Sequence, residues 1–168
     1  MIDPDLFLKF IKNRRSIRNF TDKKISSSEI EMILEAGRWA PSASNRQPWN
    51  FIIIRNKEII VALAKLAKYG QFIKQSSIVI AIVGIVRENP NWYIQDTSLA
   101  SMNMMLMAWS LEIGTCWIGS LDREKAKELL GIKKEDFLLT ILPLGYFEMD
   151  NPKKTYRKDL KEIIKEIE

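Results

Sequence analysis

The sequence predicts a single domain, residues 1–168, in which helices cover both faces of a central β-sheet. With 168 residues, of which 46% are hydrophobic, the chain can bury one substantial core but is short for two. Residues 78–86 form an apolar run with no polar alternation, which is typical of a strand buried on both faces. The segment from Asp96 to Leu111 has no charged residue after Asp96, which predicts a central helix covered nearly all round.

Capping signals predict two helices before the first strand. Asp3 can cap the first helix, which ends near Asn13. Ser26 and Glu29 form a capping box for the second helix, which ends before Pro41. The apolar face of the first helix consists of Leu6, Phe7, Phe10 and Ile11.

The remaining elements follow from β-branched runs and from helical spacing. Further strands are predicted at residues 51–54, 115–118 and 138–144, and further helices at residues 57–68 and 122–130. Gly114 is expected to end the central helix, and Gly131 the helix that follows. A tail helix is predicted from the spacing of Leu160, Ile163, Ile164 and Ile167.

The composition excludes several classes of chemistry. The chain contains no histidine, which removes Ser-His and Cys-His nucleophiles and the commonest ligands of transition metals. Cys116 is the only cysteine, so neither a disulfide within the chain nor a cysteine-based zinc site is possible. Its apolar neighbours indicate a buried packing residue. No metal site is expected.

Charge and hydropathy predict a soluble, cytoplasmic protein. The amino terminus carries Asp3 and Asp5 instead of a secretory signal, and no apolar run is long enough to cross a membrane. The net charge of +5 is spread among acidic residues. This distribution argues against nucleic-acid binding and suits a small anionic ligand better.

A polar loop between Pro41 and Pro48 is the first candidate binding element. The two prolines leave the backbone between them few conformations. The candidate residues are Pro41, Ser42, Ala43, Ser44, Asn45 and Gln47. Their uncharged donors and acceptors suit a flat heteroaromatic ring with imide and carbonyl edges. The alternative is an ordinary connection between a helix and a strand.

Two basic clusters form the second candidate element. The first contains Arg14, Arg15, Ser16 and Arg18, and the second contains Lys154 and Arg157. If the fold brings the clusters together, they can hold one phosphate. The alternative is that both clusters are solvated surface charge.

The motifs that are missing favour a bound redox cofactor. No Gly-x-Gly-x-x-Gly follows a strand and no P-loop is present, so a Rossmann dinucleotide site is not supported. The acidic residues lie mostly on polar helix faces among lysines, which argues against a catalytic pair of carboxylates. A protein with neither histidine nor an activated cysteine needs a cofactor that brings its own reactive atom, and a flavin fits this need.

The order of six motifs resembles the FMN-dependent nitroreductase family over almost the whole chain. The motifs are Arg-Arg-Ser-x-Arg at 14–18, Ala-Pro-Ser-x-x-Asn-x-Gln-Pro-Trp at 40–49, Asp-x-x-x-Ala-x-x-Asn at 96–103, Gly-x-Cys-Trp-Ile-Gly at 114–119, Leu-Gly-Tyr at 144–146 and a basic tail at 154–157. The resemblance implies a three-layer α+β fold, with a mixed or antiparallel central sheet flanked by helices. It also implies an obligate homodimer that binds FMN at its interface.

The same resemblance implies a role for each candidate residue. The FMN phosphate is held by Arg14, Arg15, Ser16, Lys154 and Arg157. Arg18 reaches the pyrimidine end of the flavin, and the backbone amides of Ile118 and Gly119 lie near the reactive N5. The ring and ribityl chain are contacted from the partner subunit by Ser42, Ser44, Asn45 and Gln47, and the cofactor-binding set also includes Pro41 and Ala43.

The implied activity is hydride transfer from NAD(P)H through flavin N5 to a nitroaromatic, a quinone or a similar electron-poor acceptor, by a ping-pong mechanism. No side chain acts as an acid, a base or a nucleophile, and Arg18 stabilises the reduced flavin electrostatically. Longer family members have an excursion over the flavin, for which this chain has little room. The alternatives are a non-catalytic flavin-binding or storage dimer, a flavin-fragmenting or dehalogenating branch of the family, and an RNA-binding domain based on residues 14–18.

Overall fold

A four-stranded antiparallel sheet forms the centre of the molecule, in the order β1-β2-β4-β3. The strands are β1, Trp49–Ile54; β2, Ile78–Gly84; β3, Ile113–Thr115; and β4, Phe137–Tyr146. The computed structural model describes residues 2–148 and 155–167. Of the mixed and antiparallel arrangements expected from the sequence, the antiparallel one is observed.

Five α-helices accompany the sheet in the described part of the chain. They are α1, Pro4–Asn13; α2, Ser27–Arg38; α3, Lys57–Leu66; α4, Tyr93–Ser110; and α5, Arg123–Leu130. Short 3₁₀ turns lie at Ala43–Asn45, Gln71–Gln75 and Leu160–Glu162. Among the residues described, none of these helices has the length and apolar character that a bilayer crossing requires.

The first two helices begin at the predicted capping residues. The Asp3 carboxylate accepts hydrogen bonds from the amides of Asp5 at 2.8 Å and Leu6 at 3.2 Å. Ser26 Oγ accepts from the Glu29 amide at 3.3 Å, and the Glu29 carboxylate accepts from the Ser26 amide at 2.8 Å. Both caps satisfy amides that the first helical turn leaves without partners.

Strand β2 separates two apolar cores and creates the three-layer α+β fold that the resemblance implied. Every residue of β2 is buried. One face contributes Val79, Ala81 and Val83 to a core with α3 and α5, and the other contributes Ile78, Ile80 and Ile82 to a core with α2 and α4. Because each buried valine or isoleucine side chain contributes about 1.5–3 kcal/mol, this strand stabilises both layers.

Two glycines allow residues 14–20 to lie directly against the sheet. A Cβ on Gly114 would lie 2.7 Å from Ile17 Cβ, and a Cβ on Gly145 would lie 2.8 Å from the Phe20 ring. The Ile17 amide donates to the Thr115 carbonyl at 2.9 Å, which extends the sheet beyond β3. The arginines of this segment are therefore fixed at that edge.

The structure corrects the predicted end of the central helix. Helix α4 begins at Tyr93 and ends at Ser110, and Glu112 then turns the chain with φ of 58°. Gly114 does not end the helix, because it lies within β3 and packs against Ile17.

The strand predicted at residues 115–118 is also displaced. Pairing with β4 covers Ile113–Thr115, and Ile118 forms only an isolated bridge with Ile141. Hydrophobicity alone could not predict which residues form β3, because they are determined by pairing with β4.

A groove between α1 and α4 is left open on the surface of the single chain. No residue of α1 is buried. The groove encloses about 510 Å³ and is lined by apolar residues that include Leu6, Phe7, Phe10, Trp39, Leu106 and Met107. We refer to it as the α1–α4 groove.

The tail is equally uncovered, and the predicted tail helix is wrong for the described residues. The chain forms one 3₁₀ turn at Leu160–Glu162, and all residues from 155 to 167 are exposed. A short helix is marginal in water without tertiary packing, which the tail does not receive within this chain. Its exposed apolar side chains are Tyr156, Leu160, Ile163, Ile164 and Ile167.

Candidate cofactor site

Arg14 places a partly buried guanidinium at the carboxyl end of α1. Its Nη1 atom is buried and has no hydrogen-bond partner among the described residues. Burial lowers the pKa of Arg14 from its usual value, and repulsion from Arg157 and Arg15 lowers it further. The fold thus brings Arg157 of the tail close to Arg14. Such a group of like charges is unfavourable unless an anion joins it.

Of the other members of the predicted phosphate cluster, Arg15 is partly occupied by hydrogen bonds within the chain. Arg15 Nη1 donates to the carbonyl oxygens of Lys12 at 2.6 Å and Arg14 at 2.9 Å. The buried Nε of Arg15 has no partner within the described residues. Ser16 is exposed beside these arginines. Lys154 lies outside the described residues.

Arg18 lines a small cavity together with Ile118 and Gly119. The cavity encloses about 130 Å³ and also has Tyr69 and Phe72 in its walls. The structure therefore joins the predicted pyrimidine-binding residue to the segment predicted near N5. Sequence reasoning missed Tyr69 and Phe72. The only signal for them was their position in the connection between the helix predicted at residues 57–68 and the strand predicted at residues 78–86.

Only one of the two amides predicted to face the cofactor is available. The Ile118 amide donates to the Ile141 carbonyl at 3.3 Å and to Thr140 Oγ1 at 3.1 Å. The Gly119 amide has no acceptor within residues 2–148 and 155–167. A Cβ on Gly119 would meet only Trp117, at 3.8 Å, so the space beside it is open. A ligand in this cavity can reach the Gly119 amide.

Cys116 lies in the wall of the same cavity and is 3% exposed. Burial raises the pKa of its thiol, although Arg18, a hydrogen bond with Ser16 and the charge of Arg14 oppose the rise. The thiol is therefore protonated near neutral pH and is a poor nucleophile. Its predicted burial as a packing residue is confirmed.

The Pro41–Pro48 loop has a strained backbone. Ser44, Asn45 and Gln47 have φ values of 53°, 52° and 52°, in the left-handed region that favours glycine. The Gln47 amide donates to Ser42 Oγ at 2.9 Å, and Gln47 Nε2 donates to the Asn45 carbonyl at 3.2 Å. Such strain costs about 1–3 kcal/mol per residue and is concentrated at functional sites.

Sequence reasoning also missed the support beneath this loop. The buried Asp96 carboxylate accepts from the Ala43 amide at 3.1 Å and from Asn89 Nδ2 at 2.9 Å. The sequence offered one signal for the role of Asp96, namely that it is the lone carboxylate at the start of an otherwise charge-free helix. Its partner could not be inferred, because Ala43 is separated from it by 53 positions.

The loop and the arginine segment lie at opposite edges of the sheet. Residues 14–20 run beside β3, whereas the loop leads into β1. Four steps between neighbouring strands separate Ser16 from β1, which amounts to about 19 Å at the usual spacing of about 4.8 Å. The loop and the arginine segment of one chain are therefore on opposite sides of its sheet.

Sequence comparisons relate the chain to known proteins. The model of the Nitroreductase family matches residues 11–83 and 68–146. A protein of Archaeoglobus fulgidus, provisionally named an NADH dehydrogenase/NAD(P)H nitroreductase, is 37% identical over 146 residues, which cover 83% of this chain and 84% of the relative. A protein of the same name from Methanothermobacter thermautotrophicus is 34% identical over 151 residues, which cover 86% and 78%.

A solved structure agrees with these sequence relatives. The FMN-dependent nitroreductase of Clostridium difficile R20291 is 29% identical and superposes with a TM-score of 0.82, over 92% of this chain and 96% of the other. Sequence and fold therefore lead to the same assignment over most of the chain. The protein belongs to the nitroreductase family.

Proposed function

We propose that the protein is an FMN-dependent oxidoreductase that uses NAD(P)H to reduce nitroaromatics, quinones or similar electron-poor acceptors. The observation that carries the proposal is the buried Nη1 of Arg14, which has no partner in the described residues and lies near Arg157. A phosphate would accept its hydrogen bond and relieve the repulsion between the two guanidinium groups. The names of the relatives support NAD(P)H as the reductant and FMN as the cofactor.

The residues present fit FMN at both of its ends. Arg14, Ser16 and Arg157 would hold the phosphate, with Arg15 beside them and Lys154 as a further candidate from the tail. Arg18 would place positive charge at the pyrimidine edge, and the Gly119 amide would donate to the ring. The chemistry that FMN supplies when bound is two-electron transfer between NAD(P)H and the acceptor. With FMN bound, Arg18 would stabilise the negative charge that reduction creates at that edge of the ring.

The proposed enzyme works as a homodimer. The α1–α4 groove and the tail are apolar surfaces that a single chain leaves in water, and exposed patches of this kind are typical of interfaces. A second copy can also supply a loop to the arginine segment, since in one chain the Pro41–Pro48 loop and residues 14–20 lie at opposite edges of the sheet. In this arrangement Asn45 and Gln47 of one subunit contact the flavin held by the arginines of the other.

Steady-state kinetics test the proposed activity. The purified protein is expected to be yellow and to oxidise NADH or NADPH when a quinone or a nitroaromatic is added. With both substrates varied, the double-reciprocal plots are expected to be parallel, because no separate dinucleotide motif exists and both substrates share one position. Intersecting lines would reveal a second substrate site. Bound flavin without NAD(P)H oxidation would identify a storage dimer, and a colourless protein that binds RNA would overturn the proposal.

Substitution of Cys116 tests whether the cavity contains a reactive thiol. The Cys116→Ala variant is expected to keep its flavin and to turn over within about twofold of the wild-type rate, because the buried thiol stays protonated. Thermal unfolding is expected to show a loss of about 1 kcal/mol from the small cavity. Loss of turnover with full flavin content would instead assign the thiol a part in the reaction.

A further inference from the structure

We propose that Asp96 is a positioning residue for flavin binding, which acts by holding the Pro41–Pro48 loop in its strained conformation. This inference rests on the proposed function for the identity of the ligand. Asp96 lies in the first turn of α4 and is 3% exposed. A buried carboxylate is costly unless its oxygens are satisfied, so its partners indicate why the fold retains it.

Both oxygens of Asp96 are used, and both partners lie outside α4. Oδ1 accepts from the Ala43 amide at 3.1 Å, and Oδ2 accepts from Asn89 Nδ2 at 2.9 Å. Asn89 is itself buried, and its backbone carbonyl accepts a hydrogen bond from the Tyr93 amide, at 3.0 Å, at the start of α4. The carboxylate thus ties the loop to the beginning of α4.

The position of Ala43 in the loop explains why its hydrogen bond to Asp96 is important. Ala43 immediately precedes Ser44, the first of three residues in the left-handed region. Without a fixed Ala43 amide the loop can relax towards a less strained backbone, which would turn Asn45 and Gln47 away from a ring. Asp96 therefore affects the ligand only through the loop and does not touch it.

Two substitutions at Asp96 separate this role from a general effect on folding. Asp96→Ala removes both acceptors and is expected to weaken FMN binding about 10-fold or more, because the Ala43 amide is left without a partner. Asp96→Asn keeps an oxygen for that amide, while the Asn89 side chain can turn over to accept from the new amide group. We expect the Asn variant to recover most of the affinity.

Hydrogen exchange provides a readout that does not depend on flavin. In the flavin-free protein, Asp96→Ala is expected to increase amide exchange at residues 43–47, with much less change in the core strands. Asn56→Ala is a matched control, since Asn56 also accepts two amide hydrogen bonds, at the start of α3. It should lower the melting temperature without changing FMN affinity or exchange in the loop.

The outcomes distinguish this inference from the proposed function. Unchanged loop exchange in Asp96→Ala would overturn the positioning role, whether or not the protein binds flavin. If the wild-type protein binds no FMN but Asp96→Ala still increases exchange at residues 43–47, the proposed cofactor would be overturned and the control of the loop by Asp96 would stand. Loss of affinity to the same extent in Asp96→Asn and Asp96→Ala, with loop exchange at the wild-type level, would also count against the role.

Discussion

The Arg14→Ala variant is expected to bind FMN about 10- to 150-fold more weakly at low salt, and to bind riboflavin with nearly unchanged affinity. The loss corresponds to about 1.5–3 kcal/mol, the contribution of one hydrogen bond between charged groups. Riboflavin lacks the phosphate, so it cannot use Arg14 Nη1, the atom that has no partner among the described residues. Titration of flavin-free protein with both ligands, followed by fluorescence, measures the two affinities.

Two control variants make this test specific, one that loses the same charge elsewhere and one that keeps the charge at position 14. Arg55→Ala removes one positive charge from an exposed position after β1 and should leave FMN affinity unchanged. Arg14→Lys keeps the charge but loses the planar donor pair, so an intermediate affinity is expected. Salt should weaken FMN binding less in Arg14→Ala than in the wild type, because one screened interaction is gone. Equal losses of affinity for FMN and riboflavin would show that Arg14 does not bind the phosphate.

The second large effect is expected at the α1–α4 groove. Leu106→Glu should convert the proposed homodimer to a folded monomer that no longer retains FMN. Leu106 lines the groove on α4, and a carboxylate buried in an apolar interface costs several kcal/mol. Sedimentation at micromolar concentration measures the assembly, and flavin absorbance in the same run measures the bound cofactor.

A second substitution separates the interface from a general loss of apolar surface. Met32→Glu changes a side chain that is 47% exposed on α2 and does not line the groove, so it should leave both the proposed dimer and its flavin binding intact. Far-ultraviolet circular dichroism should be native-like for both variants, since the two cores lie elsewhere. A wild-type protein that sediments as a flavin-loaded monomer would contradict the shared site.

Local signals account for the elements that the sequence predicted well. The caps at Asp3 and Ser26 operate within one helical turn, and the left-handed Gly131, with φ of 64°, ends α5 where expected. The unbroken apolar run of β2 requires cover on both faces, which fixes the layered arrangement. The family motifs, which follow in order along the chain, identified the family without knowledge of any contact.

Contacts between distant segments decided the rest. The predicted tail helix failed because its apolar face finds no surface within the chain, and β3 was misplaced because its register depends on β4 and on Ile17 beside Gly114. By itself the sequence determined the fold class, the family and the residue types of the candidate site. Only the tertiary structure decided that Arg157 approaches Arg14, that Gly119 rather than Ile118 has a free amide among the described residues, and that Asp96 holds Ala43. Each of these depends on distances between residues that are far apart in sequence, which no local pattern encodes.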